Sequence, residues 1–342
     1  MLTAVQSGSV AYCQHYYPLL SMIYSFDECR IRSEATRCLI VIYLVVVLLS
    51  SFVGDSAILI ATVKHGTIKL NNFIVAVMQN IAICDLLRSV GCVIPSMISL
   101  IADEWILGDT MAWINSFLNG ITFIGGNYFI AVLTTSKFLM LKFPQRTRSF
   151  ARRAGHIVCI TVWLGSIIHQ LIGISYQTQE PIFSYVAYTV HISFVSNLSN
   201  YVMLLTKTII PAIIPTSIII MTTFSTLYYL IESRKAAERS GGRLRWQGMV
   251  TVTVTAICFC MSVLPFTISH FITFRSDCSF RRTVRFLTAI NIMSNFYIYS
   301  LTIPSFRQYV WSEASTSYRS MMSILHRSLS LPSTQPSGME CV

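Results

Sequence analysis

The chain has 342 residues, of which 54% are hydrophobic and only 11% charged, and its mean hydropathy is +0.61. A soluble globular domain carries roughly 25% charged residues, so most of these side chains face something other than water. The net charge of +11 sits in short segments between apolar blocks, a pattern of membrane-flanking loops rather than of a nucleic-acid surface.

Residues 1–38 mix Tyr, His, Asp and Arg without an apolar h-region. This predicts an extracellular N-terminus with no cleavable signal peptide, the first span acting as an uncleaved signal-anchor. Seven apolar blocks follow, near 39–63, 72–101, 111–141, 155–176, 201–231, 248–274 and 284–303. A span needs about 20 apolar residues to cross roughly 30 Å of hydrocarbon, and lipid forces each one to be a helix. Residues 39–303 therefore read as an all-α bundle of seven transmembrane helices. Residues 304–314 alternate apolar and basic character, as a short amphipathic eighth helix does. The tail 315–342 is rich in Ser and Thr and is expected to be disordered and cytoplasmic.

With the N-terminus outside, fifteen Lys and Arg fall on the inner side and seven on the outer, which favours that orientation. The outer Asn197-Leu198-Ser199 sequon fits it as a glycosylation site.

Polar groups inside spans are costly, roughly 2.5–3.5 kcal/mol each on insertion scales. Asp55, Asp85, Arg88, Lys137 and Lys207 are ionisable; Asn291 and Asn295 are strongly polar. Asp85 and Arg88, three apart, share a helix face. Either Arg88 neutralises Asp85 as a structural pair, or Asp55, Asp85, Asn291 and Asn295 form a polar switch that re-pairs when helices move. Pro95, Pro211, Pro215 and Pro265 each remove a backbone hydrogen bond and offer kinks.

These residues carry a resemblance. Gly54-Asp55 stands where one family has Gly-Asn. Asn80-Ile81-Ala82-Ile83-Cys84-Asp85-Leu86-Leu87 is close to its Leu-Ala-x-x-Asp-Leu, and Trp105-Ile106-Leu107-Gly108 matches its Trp-x-x-Gly. Trp163 is the lone tryptophan of span four. Phe259-Cys260-Met261-Ser262-Val263-Leu264-Pro265-Phe266 resembles Phe-x-x-Cys-Trp-x-Pro-Phe. Asn295-Phe296-Tyr297-Ile298-Tyr299, then Phe306, resembles Asn-Pro-x-x-Tyr followed by Phe. The region 39–312 thus resembles a divergent rhodopsin-like (class A) G-protein-coupled receptor.

The resemblance implies a ligand pocket lined by Asn119, Phe123, Lys207, Phe266, His270, Arg285 and Ala289. Asn119 replaces the amine-binding aspartate and Ala289 the retinal lysine, so neither an amine receptor nor an opsin is implied. Lys207, His270 and Arg285 permit an acidic extracellular ligand, although Lys207 could equally snorkel and Arg285 cap its helix. Tyr299 joins the polar switch, and Ser136, Lys137, Phe138 and Arg245 would face a heterotrimeric G protein. Lys137 keeps a charge but not arginine's planar fork, and Arg245 would repel it, which implies raised basal activity. The cysteine expected to open span three is Ala112, and residues 177–200 contain no partner for it. A Cys29–Cys278 bridge would tie the N-terminus to the third outer loop; free thiols are the alternative. The basic inner loops suit membrane lipids.

No cofactor, metal site or enzymatic activity is implied. A non-signalling decoy or degenerate receptor is the second reading. A transporter is the third, though the repeats and matched broken helices expected of one are not evident.

Overall fold

The computed structural model describes residues 30–64, 71–147, 152–175, 182–184, 188–191, 205–240, 247–272, 278–313 and 315–316. The helices are α1 (Glu34–Val63), α2 (Asn72–Arg88, continuing through a π-helical Ser89–Val93 into Ile94–Ala102) and α3 (Gly108–Lys142). They continue as α4 (Arg152–Ser175), α5 (Ile214–Ser240, entered through a π-helical Leu205–Ile213), α6 (Gln247–Ile272), α7 (Cys278–Thr302) and α8 (Pro304–Glu313). A single turn, Pro144–Thr147, follows α3. Below, the end of the bundle at which α1 starts is its head and the other end its foot.

Helix starts follow from local chemistry. Asn71 Oδ1 accepts the Phe73 N–H at 2.8 Å, and Ser33 Oγ accepts that of Thr36 at 3.4 Å, satisfying backbone donors that the first turn leaves unpaired. α1 carries Ile42, Val46, Leu49, Val53 and Ile60 on one exposed stripe, and α4 carries Ile157, Ile160, Leu164, Ile168 and Leu171. Steps of three and four residues put each set on a single helix face, and these are the faces given to lipid. α2 and α3 bury 56% of their apolar windows against 17% for α4, so α2 and α3 run through the middle and α4 lies outside them.

α6 packs on α7, α5 on α3, and α2 on α1, α3 and α4. The foot half of the core gathers Ile58, Phe73, Met78, Phe129, Phe259, Tyr299 and Phe306; the head half gathers Ile31, Leu44, Val47, Tyr188 and Ile292. Gly54 permits close approach of α1 to α7, since a Cβ there would stand 2.5 Å from that of Phe296. Between α7 and α8 the chain turns by 102°. Pro304 starts α8, where its missing N–H costs nothing, and the fully buried Phe306 pins it under the bundle with its ring 6.1 Å from Phe296.

One element departs from an all-helical expectation. Between α4 and α5 lies a two-stranded antiparallel hairpin, β1 (Ile182–Ser184) and β2 (Thr189–His191), with Phe183 opposite Val190. Ala112 is buried where a cysteine would anchor such a loop, and Tyr188 supplies a noncovalent anchor instead. Its side chain is completely buried. Its hydroxyl donates to Asp103 Oδ1 at 3.2 Å and accepts the Ile31 N–H at 3.2 Å. Burial, then the neighbouring Asp103 charge, pushes the Tyr188 phenol above its usual range, so it remains a neutral donor. Asp103 and Tyr188 both have left-handed backbones, with φ of 60° and 49°.

Candidate functional site

Two buried carboxylates define the centre of the bundle. Asp55 on α1 and Asp85 on α2 are 1% and 5% exposed. Asp55 Oδ2 accepts from Ser51 Oγ at 2.6 Å, and Ser51 Oγ accepts from Ser89 Oγ at 2.8 Å, a relay from α1 to α2. Asp85 Oδ2 accepts from Asn295 Nδ2 on α7 at 2.7 Å. Tyr299, one turn below Asn295, is buried within electrostatic reach of both carboxylates. Asn291, one turn above it, is 6% exposed. Asp55 Oδ1, Asn295 Oδ1 and the Tyr299 hydroxyl are buried with no hydrogen-bond partner among the described residues.

The sequence offered a direct Asp85–Arg88 pair, and among the described residues none forms. Asp85 is engaged by Asn295, while Arg88 turns toward α3 and α7. Its Nη2 donates to Thr288 Oγ1 at 3.3 Å, and its guanidinium lies 5.8 Å from the Phe123 ring centroid. Arg88 therefore touches a residue expected to line the ligand pocket. Asn119 and Phe123 are partly buried on α3, while Ala289 on α7 is buried and Arg285 partly buried. Lys207, Phe266 and His270 lie on helical backbone, but their side chains are outside the described residues.

Two prolines are served by α3. In an α-helix, residue i donates its N–H to the carbonyl of i−4, and proline has no N–H to give. The Gly91 carbonyl, four residues before Pro95, accepts from Asn115 Nδ2 at 2.7 Å. Pro215 frees the Pro211 carbonyl, which accepts from Asn127 Nδ2 at 2.8 Å. The neighbouring Ile210 carbonyl, in the π-helical stretch entering α5, accepts from the Tyr128 hydroxyl at 3.0 Å. Asn115 and Asn127, 0% and 3% exposed, complete backbone ladders that belong to other helices.

At the foot, Ser136 Oγ donates to the Leu133 carbonyl at 2.9 Å and is buried. The partly buried Lys137 has no hydrogen-bond or ion-pair partner among the described residues. Phe138 lies 5.8 Å from Tyr229 of α5, and Lys142 Nζ stands over both rings, at 5.8 and 5.6 Å. Arg245 lies outside the described residues. Lys64, at the end of α1, donates to Glu313 Oε1 of α8 at 2.7 Å and stands 5.4 Å from the Tyr309 ring centroid. That hydrogen bond raises the Lys64 ammonium above its usual range and lowers the Glu313 carboxyl.

Of the expected disulfide, Cys278 is disulfide-bonded; Cys29 lies outside the described residues, as does Asn197. Sequence reasoning missed Ser51, Ser89, Asn115, Asn127 and Thr288. A sequence signal existed for Asn115 and Asn127, since a strongly polar amide inside an apolar helix needs a partner. Their neighbours in the fold could not be read from it.

Residues 54–302 match the 7 transmembrane receptor (rhodopsin family). The chain is 29% identical over 140 residues to human chemokine XC receptor 1, covering 40% of each chain. It is 24% identical over 166 residues to mouse neuropeptide Y receptor type 6, covering 47% of this chain and 43% of that one. Each match thus spans less than half of the relative's length. A family match over most of the chain, with helices packed as one bundle around a polar centre, places this multi-pass membrane protein in the rhodopsin family of seven-transmembrane receptors.

Proposed function

We propose that the chain is a plasma-membrane receptor, N-terminus outside, that converts binding of an extracellular ligand into activation of a heterotrimeric G protein. The observation that carries this reading is the cluster joining α1, α2 and α7, in which Asn295 of α7 holds Asp85 of α2 and Ser89 of α2 reaches Asp55 of α1 through Ser51. A hydrogen-bonded cluster shared by three helices can re-pair when α7 moves, as a two-state switch requires. The ligand side is the head-end pocket of Asn119, Phe123, Lys207, Phe266, His270, Arg285 and Ala289, with Arg88 as its floor. Its basic groups select an acidic ligand. The G-protein side is Ser136, Lys137, Phe138 and Arg245, and the basic foot meets anionic lipid. Cys29 bridges Cys278, fixing the N-terminus over α7, and Asn197 carries a glycan.

Lys137 lacks the acidic neighbour that would hold it in the resting state, which favours signalling without ligand. G-protein dissociation measured in cells without agonist tests this: the wild type gives a basal signal that Lys137→Ala abolishes. No basal signal, and none from a ligand library, returns the chain to the second reading, a non-signalling receptor. That alternative draws on Val263, buried where relatives carry the tryptophan of α6.

A further inference from the structure

At the head, outside the pocket described above, a cleft of about 490 Å³ is lined by Arg30, Ile31, Arg32, Arg37 and Asp103. Asp103 is fully engaged there. Its Oδ2 accepts from Arg30 Nε at 2.7 Å and Nη2 at 2.6 Å and lies 3.2 Å from Arg37 Nη1. Its Oδ1 accepts from the Tyr188 hydroxyl. Among the described residues the cleft wall carries three guanidinium groups and one carboxylate. Arg32 is exposed and has no hydrogen-bond or ion-pair partner among the described residues, and the Arg30 side chain is 54% exposed. Glu34 and Glu104 are exposed nearby but do not line the cleft.

The floor is rigid. Tyr188 is completely buried, Ile31 is 4% exposed, and a hydrogen bond joins them, so the backbone beneath the cleft is fixed before any ligand arrives. A preorganised site loses little ordering entropy on binding. The guanidinium fork matches a carboxylate with two parallel N–H donors. Arg32 stands seven residues ahead of Leu39, the first large apolar residue of α1 exposed to lipid, so the cleft opens above the bilayer rather than into it.

The geometry points to this cleft as an outer recognition site for carboxylate side chains of an acidic peptide, engaged before or together with the inner pocket. The inference deepens the receptor reading and rests on its orientation and on an acidic ligand.

The test uses the full chain in phosphatidylcholine nanodiscs and a fluorescein-labelled hexaglutamate peptide, read by anisotropy. The wild type binds, more weakly as salt rises. Arg32→Ala weakens binding about tenfold, the loss of roughly one charged hydrogen-bonded contact. Its thermal midpoint is unchanged, because Arg32 supports nothing else, and Arg32→Lys recovers part of the affinity. Equal binding by wild type and Arg32→Ala, or no binding by the wild type, overturns the proposal. So does a variant that loses retention on phosphatidylserine vesicles while hexaglutamate binding is untouched, since the cleft then serves lipid. Binding is read without G protein, so its failure leaves the receptor reading standing. Intact binding beside absent coupling is the converse failure.

Discussion

Asn127→Leu tests whether α3 completes the backbone of α5. The substitution keeps the approximate volume of a side chain that is 3% exposed and removes the donor held 2.8 Å from the Pro211 carbonyl. A buried carbonyl stripped of its partner costs about 1–3 kcal/mol. Side-chain hydrogen bonds in membrane proteins average only about 0.6 kcal/mol, because the unfolded chain in lipid finds other partners. In the α-helical register Pro215 offers the Pro211 carbonyl no N–H, so the expected loss is about 1–2 kcal/mol, a factor of roughly 5–30 in the folded-to-unfolded ratio. Pro215→Ala returns the missing N–H. In that background Asn127 is redundant, and Asn127→Leu should cost at least about 1 kcal/mol less than in the wild type. Equilibrium unfolding in mixed detergent micelles on all four members of the cycle measures the coupling. Equal losses in both backgrounds would refute the reasoning.

Three further outcomes follow from other parts of the bundle. Gly54→Val places a Cβ 2.5 Å from that of Phe296 and should destabilise by about 1–3 kcal/mol through forced separation of α1 and α7; an unchanged thermal midpoint contradicts that packing. The Lys64–Glu313 contact lowers the Glu313 carboxyl, so its contribution to docking α8 is present above the ordinary glutamate range and is lost as pH falls through the lowered value. Trp311 fluorescence should report α8 release on acidification, and Glu313→Gln should remove that pH dependence; an identical titration in the variant counts against the latch. Tyr188→Phe deletes the hydroxyl that joins Asp103 to Ile31 and should cost about 1–2 kcal/mol, seen as faster hydrogen exchange at Ile31 and in β2; unchanged protection would mean that ring burial alone holds the hairpin.

Seven apolar blocks, their helical state and the short helix beyond them were legible in the sequence. Apolarity belongs to each residue, and lipid leaves the backbone one solution. The polar centre was legible in kind as well, because Asp55, Asp85 and Asn295 in apolar helices are too costly to lack a purpose. What no local signal carried was the choice of partner. Arg88 had two routes along one helix face, and only the packing of α3 and α7 turned it to Phe123 and Thr288. Pro95 and Pro215 announced unpaired carbonyls, but that Asn115 and Asn127 meet them is set by how α3 runs between α2 and α5. The anchoring of β1–β2 by Tyr188 was equally hidden, since its contacts lie 85 and 157 residues away. The solvent of each segment is a property of nearby sequence, whereas hydrogen-bond partners across a bundle depend on distances that only the folded chain possesses.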